Sequence, residues 1–518
     1  MKPPSSPLLQ DIPQTAEVAT VEKDTYGQIL KSSALIGGSS VVNIAIGIVR
    51  TKAMALLLGP EGFGLMGVYG SISNFAQCVA SMGINSSGVR QIAEAVGSGD
   101  MERVARTVVV LRRTSIILGI LGAVFLVAFS SQVSTLTFGD DQHAVAVALL
   151  SLAVLFSLVS GGQGALIQGM RRIADLARMG ILGSFFGLLI SIPLVYFLRE
   201  EGVVPALVGI AAMTIITSWW YSRKVQITSP AMTASQTKEE AAALLKLGFA
   251  FMASGILMMG AAYAVRIMVI RMVDLEAAGY YQAAWTLGGL YVGFILQAMG
   301  ADFYPRLVGV AKDNSECNRL VNEQAQVSLL LAGPGVLATL TFAPLVVALF
   351  YTGKFAASVD VLRWVCLGMA LRVITWPMGF IIIAKGKQTL FFGAELAWAV
   401  VNVSLAWICV KSYGLNGAGM AFFGSYVFHA LIIYPIAHKL SGFRWSRANR
   451  QSGLVFIFLI ALVFFSFYAL PTLVATGVGV LAIISSSVYS IRVLGNLVTM
   501  DRIPGSIVRL LVLFRLAP

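Results

Sequence analysis

Apolar runs of about twenty residues recur along the chain from residue 33 to residue 491, separated by short breaks rich in Gly and acidic residues. A helix needs about 20 apolar residues to cross the hydrocarbon core of a bilayer. By that rule the runs predict fourteen spans, near 33–58, 63–84, 106–130, 143–168, 178–198, 203–222, 246–272, 279–302, 325–350, 359–384, 389–410, 415–437, 452–470 and 473–491. The breaks fall at GPEG (59–62), FGDDQ (138–142), REEG (199–202), DLEAAG (274–279) and YTGK (351–354). The longest polar interruption, Thr228 to Glu240, separates the sixth span from the seventh. The fold class expected is therefore all-α: a polytopic membrane protein of about 14 transmembrane helices, in two pseudo-symmetric six-helix bundles plus a C-terminal helix pair. Its segments are a disordered cytoplasmic tail (1–30), the N-terminal bundle (31–227), a cytoplasmic linker (228–245), the C-terminal bundle (246–440), and two extra helices with a basic cytoplasmic tail (441–518).

Composition agrees. Of 518 residues, 12% are charged and 57% apolar, with a mean hydropathy of +0.82. Soluble domains carry about 25% charged residues. A disordered chain, a disulfide scaffold and a soluble nucleic-acid binder are all excluded. The net charge of +13 finds its place in the loops, because Lys and Arg gather on the cytoplasmic side of membrane proteins and set topology. With the N-terminus inside, 28 of the 37 basic residues lie in cytoplasmic segments. Only Arg199, Lys354 and Lys411 lie opposite, beside Asp140, Asp141, Glu200, Glu201, Asp274 and Glu276. That asymmetry predicts an even number of spans and two cytoplasmic termini. Residues 1–30 show no signal-peptide pattern, so the first hydrophobic helix is expected to direct insertion.

A weak internal repeat supports two halves. A shift of about 215 residues lays IVRTKAMALLLGPEGFGLMGVYG (48–70) over AVRIMVIRMVDLEAAGYYQAAW (264–285), matching Glu61 with Glu276 and Gly64 with Gly279. One further residue of shift matches Arg50 with Arg266 and Arg90 with Arg306. Transporters often use such repeats; six intervening spans place the pseudo-axis along the membrane normal.

Charges inside spans are the most informative residues, since they are expensive there and usually face an interior or a cavity. Six are basic: Arg50, Lys52, Arg266, Arg271, Arg363 and Arg372. Arg271 and Arg363 lie close enough to span ends to snorkel. Lys52 and Arg50 lie about 10 and 13 Å below Gly59, and Arg372 about 18 Å from either end of its span. Arg50, Arg266 and Arg372 are therefore expected to line a lumen, with buried structural pairing as the competing role. Asn43, Gly47 and Arg50 follow i, i+4, i+7 and share a helix face. Ser73, Asn74 and Gln77 form a smaller strip that either lines a cavity or joins helices. The substrate-binding candidates are thus Arg50, Lys52, Arg266, Arg271, Arg372 and Asn43. In-span cations outnumber in-span acids, so the expected cargo is anionic. Glu395, Asp302 and His429 are the candidates for coupling, because carboxyls and imidazoles held in a membrane suit proton exchange.

No catalytic motif is readable. GPEGFG (59–64) follows a span rather than a strand, and KGKQT (385–389) lacks both GK[ST] and the earlier glycine of a phosphate loop. Cys78, Cys317, Cys366 and Cys409 show neither CxxC nor metal spacing. No metal, cofactor or nucleic-acid partner is expected, and the chain reads as a non-enzyme.

VRTKAMALLLGPEGFGLMG (49–67), followed by MGINSSGVRQIAE (82–94), resembles the start of O-antigen translocases, the Wzx-type flippases of the polysaccharide transporter family. The matching features are Lys52, the turn at Gly59, Pro60, Gly62 and Gly64, and the later Gly83 and Arg90. The wider superfamily exports multidrug, oligosaccharidyl-lipid and polysaccharide cargo. The resemblance spans roughly residues 31–440, and the last two spans depart from the commonest twelve-helix pattern. It implies two bundles around a central cavity and alternating access in the bacterial inner membrane. The implied cargo is an oligosaccharide on undecaprenyl pyrophosphate, flipped to the periplasmic leaflet for lipopolysaccharide biosynthesis. A polysaccharide polymerase and a chain-length regulator are the partners implied. The rival readings are a lipid II or multidrug exporter of the same superfamily, which would differ only in cargo, and an embedded polymerase or ligase. Short outer loops argue against an enzyme. A pore or scaffold would not need cations at corresponding places in a repeat.

Overall fold

A computed structural model describes residues 14–225 and 232–497, a succession of helices with no strand among the described residues. The first helix, α1 (Gln14–Ser81), starts inside the stretch read as a tail and is broken at Gly59, where φ is +67° and the next residue is Pro60. Glycine tolerates this left-handed backbone, and proline has no N–H to carry the helical ladder on. Arg50 and Asn74 line one cavity, although a straight helix would separate them by about 36 Å. The chain therefore doubles back at GPEG.

A short helix the apolar runs did not foretell, α2 (Ile84–Gly97), buries Ile84, Ile92 and Ala95. Next come α3 (Met101–Ala128), the short α4 (Ser130–Thr137), α5 (Ala144–Gly169) and α6 (Ile173–Leu198). A 3₁₀ turn at Arg199–Gly202 leads into α7 (Val203–Ser222). The second half opens with α8 (Ala234–Met272), which starts within the stretch read as a linker. Its start is set by a capping box, Thr233 accepting from the backbone of Gln236 while the Gln236 side chain accepts from Thr233. Asp274 caps α9 (Leu275–Gly309), and Asp313 caps α10 (Asn314–Thr341). The short α11 (Ala343–Phe350) meets α10 at 83°. The remaining helices are α12 (Ser358–Ala384), α13 (Gln388–Tyr413), α14 (Leu415–Ser441), α15 (Arg447–Ala469) and α16 (Thr472–Leu497).

In the first half α1 packs on α6, and α5 packs on α3 and α7; in the second, α14 packs on α12 and α13, and α12 on α9. The last two helices, α15 and α16, pack on each other and on α10. Ten stretches among the described residues are long and apolar enough to cross a membrane, or eleven if α10 and α11 form one broken span. Two of the ten, Gly38–Ser81 and Ile173–Ser222, are 44 and 50 residues long. At 1.5 Å per residue each is roughly twice the thickness of the hydrocarbon core. The chain is a multi-pass, all-helical membrane protein.

The turns sort into two chemically distinct ends. GPEG, REEG, DLEAAG and YTGK gather at an acidic end. There Gly64 lies against α9: a Cβ on Gly64 would sit 2.7 Å from Gly279 N, and one on Gly279 would overlap Pro60 O. The glycines matched by the repeat thus touch each other. At the basic end Gly83, with φ +68°, meets Gly248 of α8 so closely that neither position has room for a Cβ. Polar ties close this end within the second half, with Asn318 donating to Ser441 O at 2.8 Å and Asn322 to Arg444 O at 3.1 Å. The two halves therefore touch, backbone to backbone, at both ends.

Candidate functional site

The six in-span cations have different surroundings. Arg363 pairs with Asp360 at 3.1 Å and lies 3.9 Å from the centroid of the Phe467 ring, so it fastens α12 to α15. Arg271 is exposed at the acidic end, 3.4 Å from Thr135 O. Lys52 donates to Ala348 O at 2.8 Å and also to Tyr351 O. The carbonyls at the end of α11 have no partners further along their own helix, and Lys52 supplies one from the other half of the chain. Neither Lys52 nor Arg271 lines the two cavities described next. Lys52→Met should lower thermal stability in detergent by about 1–3 kcal/mol, the cost of leaving the carbonyls of Ala348 and of the buried Tyr351 without this donor. Export should then fall only in proportion to the protein present, as paired abundance and export measurements would show.

Arg50 and Arg266 share a cavity of about 230 Å³, walled by α1, α6 and α7 with α8 and α9 closing one side. Its depth follows from helical rise: Arg50 stands about 13 Å from the Gly59 break, and Arg266 about 12 Å from Asp274. The Arg50 guanidinium reaches across to α6, where a Cβ on Gly187 would lie 3.5 Å from it. Arg50 has no hydrogen-bond or ion-pair partner among the described residues. Arg266 donates twice to Gln282 Oε1, at 3.1 and 2.6 Å, and Gln282 in turn donates to Thr286 at 3.2 Å. No carboxylate lines this cavity. Two cations therefore face one space with only a neutral amide as partner. Asn74 joins them, whereas Gln77 turns back to Ser73 at 2.9 Å. Asn43 lies further along α1 toward Gly180, and its buried Oδ1 has no partner.

A second cavity of the same size lies between α12, α13 and α14 and holds Arg372, Glu395 and His429. Glu395 Oε1 stands 3.9 Å from His429 Nε2, while His429 Nδ1 is buried with no partner. Arg372 stands near mid-depth, and Glu395 about 10 Å along α13 from the basic end. The side chain of Asp302 lies outside the described residues. Sequence reading missed Gln282, whose signal was its position in the repeat opposite Gly67; a Cβ on Gly67 would lie 3.0 Å from the Gln282 side chain. It also missed the rings of this second cavity, which fall at helical spacing around Arg372.

A family model described as polysaccharide biosynthesis protein matches residues 53–360, more than half of the chain. The chain belongs to that family. Among its relatives, the lipid III flippase of Escherichia coli K12 is 22% identical over 408 residues, covering 77% of this chain and 95% of that one. Among solved structures, the lipid II flippase MurJ in an inward closed conformation aligns with a TM-score of 0.64 and 14% identity, over 90% of this chain and 99% of that one. A multidrug resistance MATE family transporter of the MOP superfamily, inward-facing, aligns with a TM-score of 0.61 and 17% identity, over 78% and 95%. These likenesses show that the chain shares the fold of those transporters, as the resemblance carried by residues 49–67 and 82–94 implied. The relatives and structural neighbours named here are described as flippases and transporters.

Proposed function

We propose that this family member flips an oligosaccharide carried on undecaprenyl pyrophosphate from the cytoplasmic to the periplasmic leaflet of the inner membrane, by alternating access between its two halves. The observation that carries this reading is the shared cavity of Arg50 and Arg266, with no carboxylate to neutralise it. Leaving such charge in a membrane interior is costly unless something anionic visits it. A pyrophosphate suits, because the planar guanidinium forms paired, charge-assisted bonds to phosphate oxygens. Cargo arriving from the basic end would meet Arg372 first and the Arg50–Arg266 pair beyond it, its lipid tail staying in the bilayer. The relatives named above as lipid III and lipid II flippases support the same class of cargo. A cation exporter would instead place carboxylates where Arg50 and Arg266 stand.

The same reading sets the topology. Counting the two long stretches as two spans each, α10 with α11 as one, and α9 as a further span gives fourteen, in bundles of six plus the α15–α16 pair. Both termini are then cytoplasmic and the acidic end periplasmic. Ser131 and Gln142 are exposed there; a cysteine at either should react with an impermeant maleimide on intact cells. Labelling only after permeabilisation would overturn this orientation.

Coupling falls to the second cavity. A proton gradient would act through Glu395 and His429, whose side chains stand within reach of one another. Glu395→Gln and His429→Gln should each flatten the dependence of export on a pH gradient. Export by both variants with the gradient dependence of the unmodified protein would remove these residues from the proposal.

A further inference from the structure

The two cavities are of equal size and unlike chemistry, and the coupling pair Glu395 and His429 makes up only part of the lining of the second. The Arg50–Arg266 cavity is lined by no aromatic ring. The Arg372 cavity is lined by Trp376 and Phe380 on α12, Trp398 on α13 and Tyr426 on α14. We propose that this second cavity is a sugar-binding subsite, distinct from the arginine pair that takes the pyrophosphate. This inference rests on the cargo proposed above and assigns its glycan a place.

Pyranose rings present an apolar C–H face and a rim of hydroxyls. The C–H face suits the negative face of an aromatic ring, and hydroxyls suit groups that both donate and accept. Both are present here. Trp376 and Phe380 pack ring to ring at 4.6 Å, and Trp398 packs on Tyr426 at 5.8 Å. These side chains follow i, i+4 on α12, with Arg372 one turn before them, and i, i+3 from Glu395 to Trp398 on α13, spacings that share a helix face. The polar groups are incompletely paired: Trp398 Nε1 and His429 Nδ1 are buried without partners, and the Glu395 side chain keeps 30% of its exposure. Unpaired buried polar atoms are costly, and a hydroxyl, which both donates and accepts, would satisfy them. At about 230 Å³ the cavity is smaller than a site for a drug-sized molecule, so it takes a single sugar ring rather than a whole repeat unit.

The test uses the full chain in lipid nanodiscs and three probes. These are bare undecaprenyl pyrophosphate, the lipid-linked oligosaccharide extracted from the source cells, and the free oligosaccharide released from it. Trp398→Ala should weaken binding of the lipid-linked oligosaccharide at least tenfold and abolish binding of the free oligosaccharide, leaving bare undecaprenyl pyrophosphate unaffected. Trp398→Phe and Trp376→Phe keep a ring and the packing, so they carry the test if the alanine variant unfolds; each should weaken only the two sugar-bearing probes, by several-fold. Equal affinity of these variants and the unmodified protein for both sugar-bearing probes would overturn the sugar subsite while leaving the pyrophosphate reading intact. If the unmodified protein bound the free oligosaccharide but not bare undecaprenyl pyrophosphate, the sugar subsite would stand and the pyrophosphate reading would fall.

Discussion

Arg50→Ala and Arg266→Ala should each cut export of the lipid-linked oligosaccharide by roughly 30-fold to several thousand-fold while leaving the protein in the membrane at normal abundance. The magnitude is that of truncating one member of a desolvated charge pair, about 2–5 kcal/mol, converted at 1.4 kcal/mol per tenfold. Separating function from folding depends on what Arg50 lacks. A structural arginine leaves a stranded carboxylate when removed, and the folded protein suffers. Arg50 has no such partner among the described residues, and Arg266 leaves behind only the neutral Gln282. Their removal should therefore leave thermal stability unchanged or slightly raised, because an unneutralised cation no longer has to be held in the membrane. Lysine at either position should restore export only in part, since it keeps the charge and loses the paired geometry.

The second large effect concerns the contact at the acidic end. Any side chain at Gly279 overlaps Pro60 O, and any at Gly64 crowds the backbone of α9. Both contacts lie between the halves rather than within either one, so each half keeps its own packing in a variant. Gly279→Val should insert normally and lose at least nine-tenths of export, because the acidic end can no longer close. Gly293, on the same helix, has nothing within 4 Å of an added Cβ. Gly293→Ala is therefore the control, with near-normal export expected. Lipid-linked oligosaccharide reaching the periplasmic leaflet, normalised to membrane abundance, reads both. Full activity of Gly279→Val would mean that the acidic-end contact does not take part in the transport cycle.

Much of this was legible in the sequence because membrane insertion imposes one-dimensional rules. Apolar runs gave the long helices, and breaks such as GPEG and REEG gave the reversals, since glycine, proline and acids interrupt a buried helix for local reasons. Depth below the breaks separated Arg50, Arg266 and Arg372 from Arg271 and Arg363. Lys52 shows where that reasoning ends. Its depth matched a lumen residue, yet it serves the open carbonyls of α11, almost 300 residues away, and nothing local announces such a partner. The bend between α10 and α11 was hidden because both sides of it are apolar. So was α2, a short helix at the basic end whose buried face forms against α3, α5 and α8. The rings around Arg372 had the right spacing, but a run of Trp and Phe in a span packs equally well against lipid or a neighbouring helix. Only the meeting of α12, α13 and α14 shows that they line a space.

The most direct measurement reconstitutes the purified chain in vesicles and follows two cargoes in parallel, a lipid-linked oligosaccharide and a membrane-permeant cationic dye. Leaflet-specific access to the glycan reports flipping, and fluorescence reports the dye. The account predicts protein-dependent movement of the lipid-linked oligosaccharide, lost in Arg50→Ala and Arg266→Ala, and no protein-dependent movement of the dye. Transport of the dye with no flipping of the glycan would contradict it.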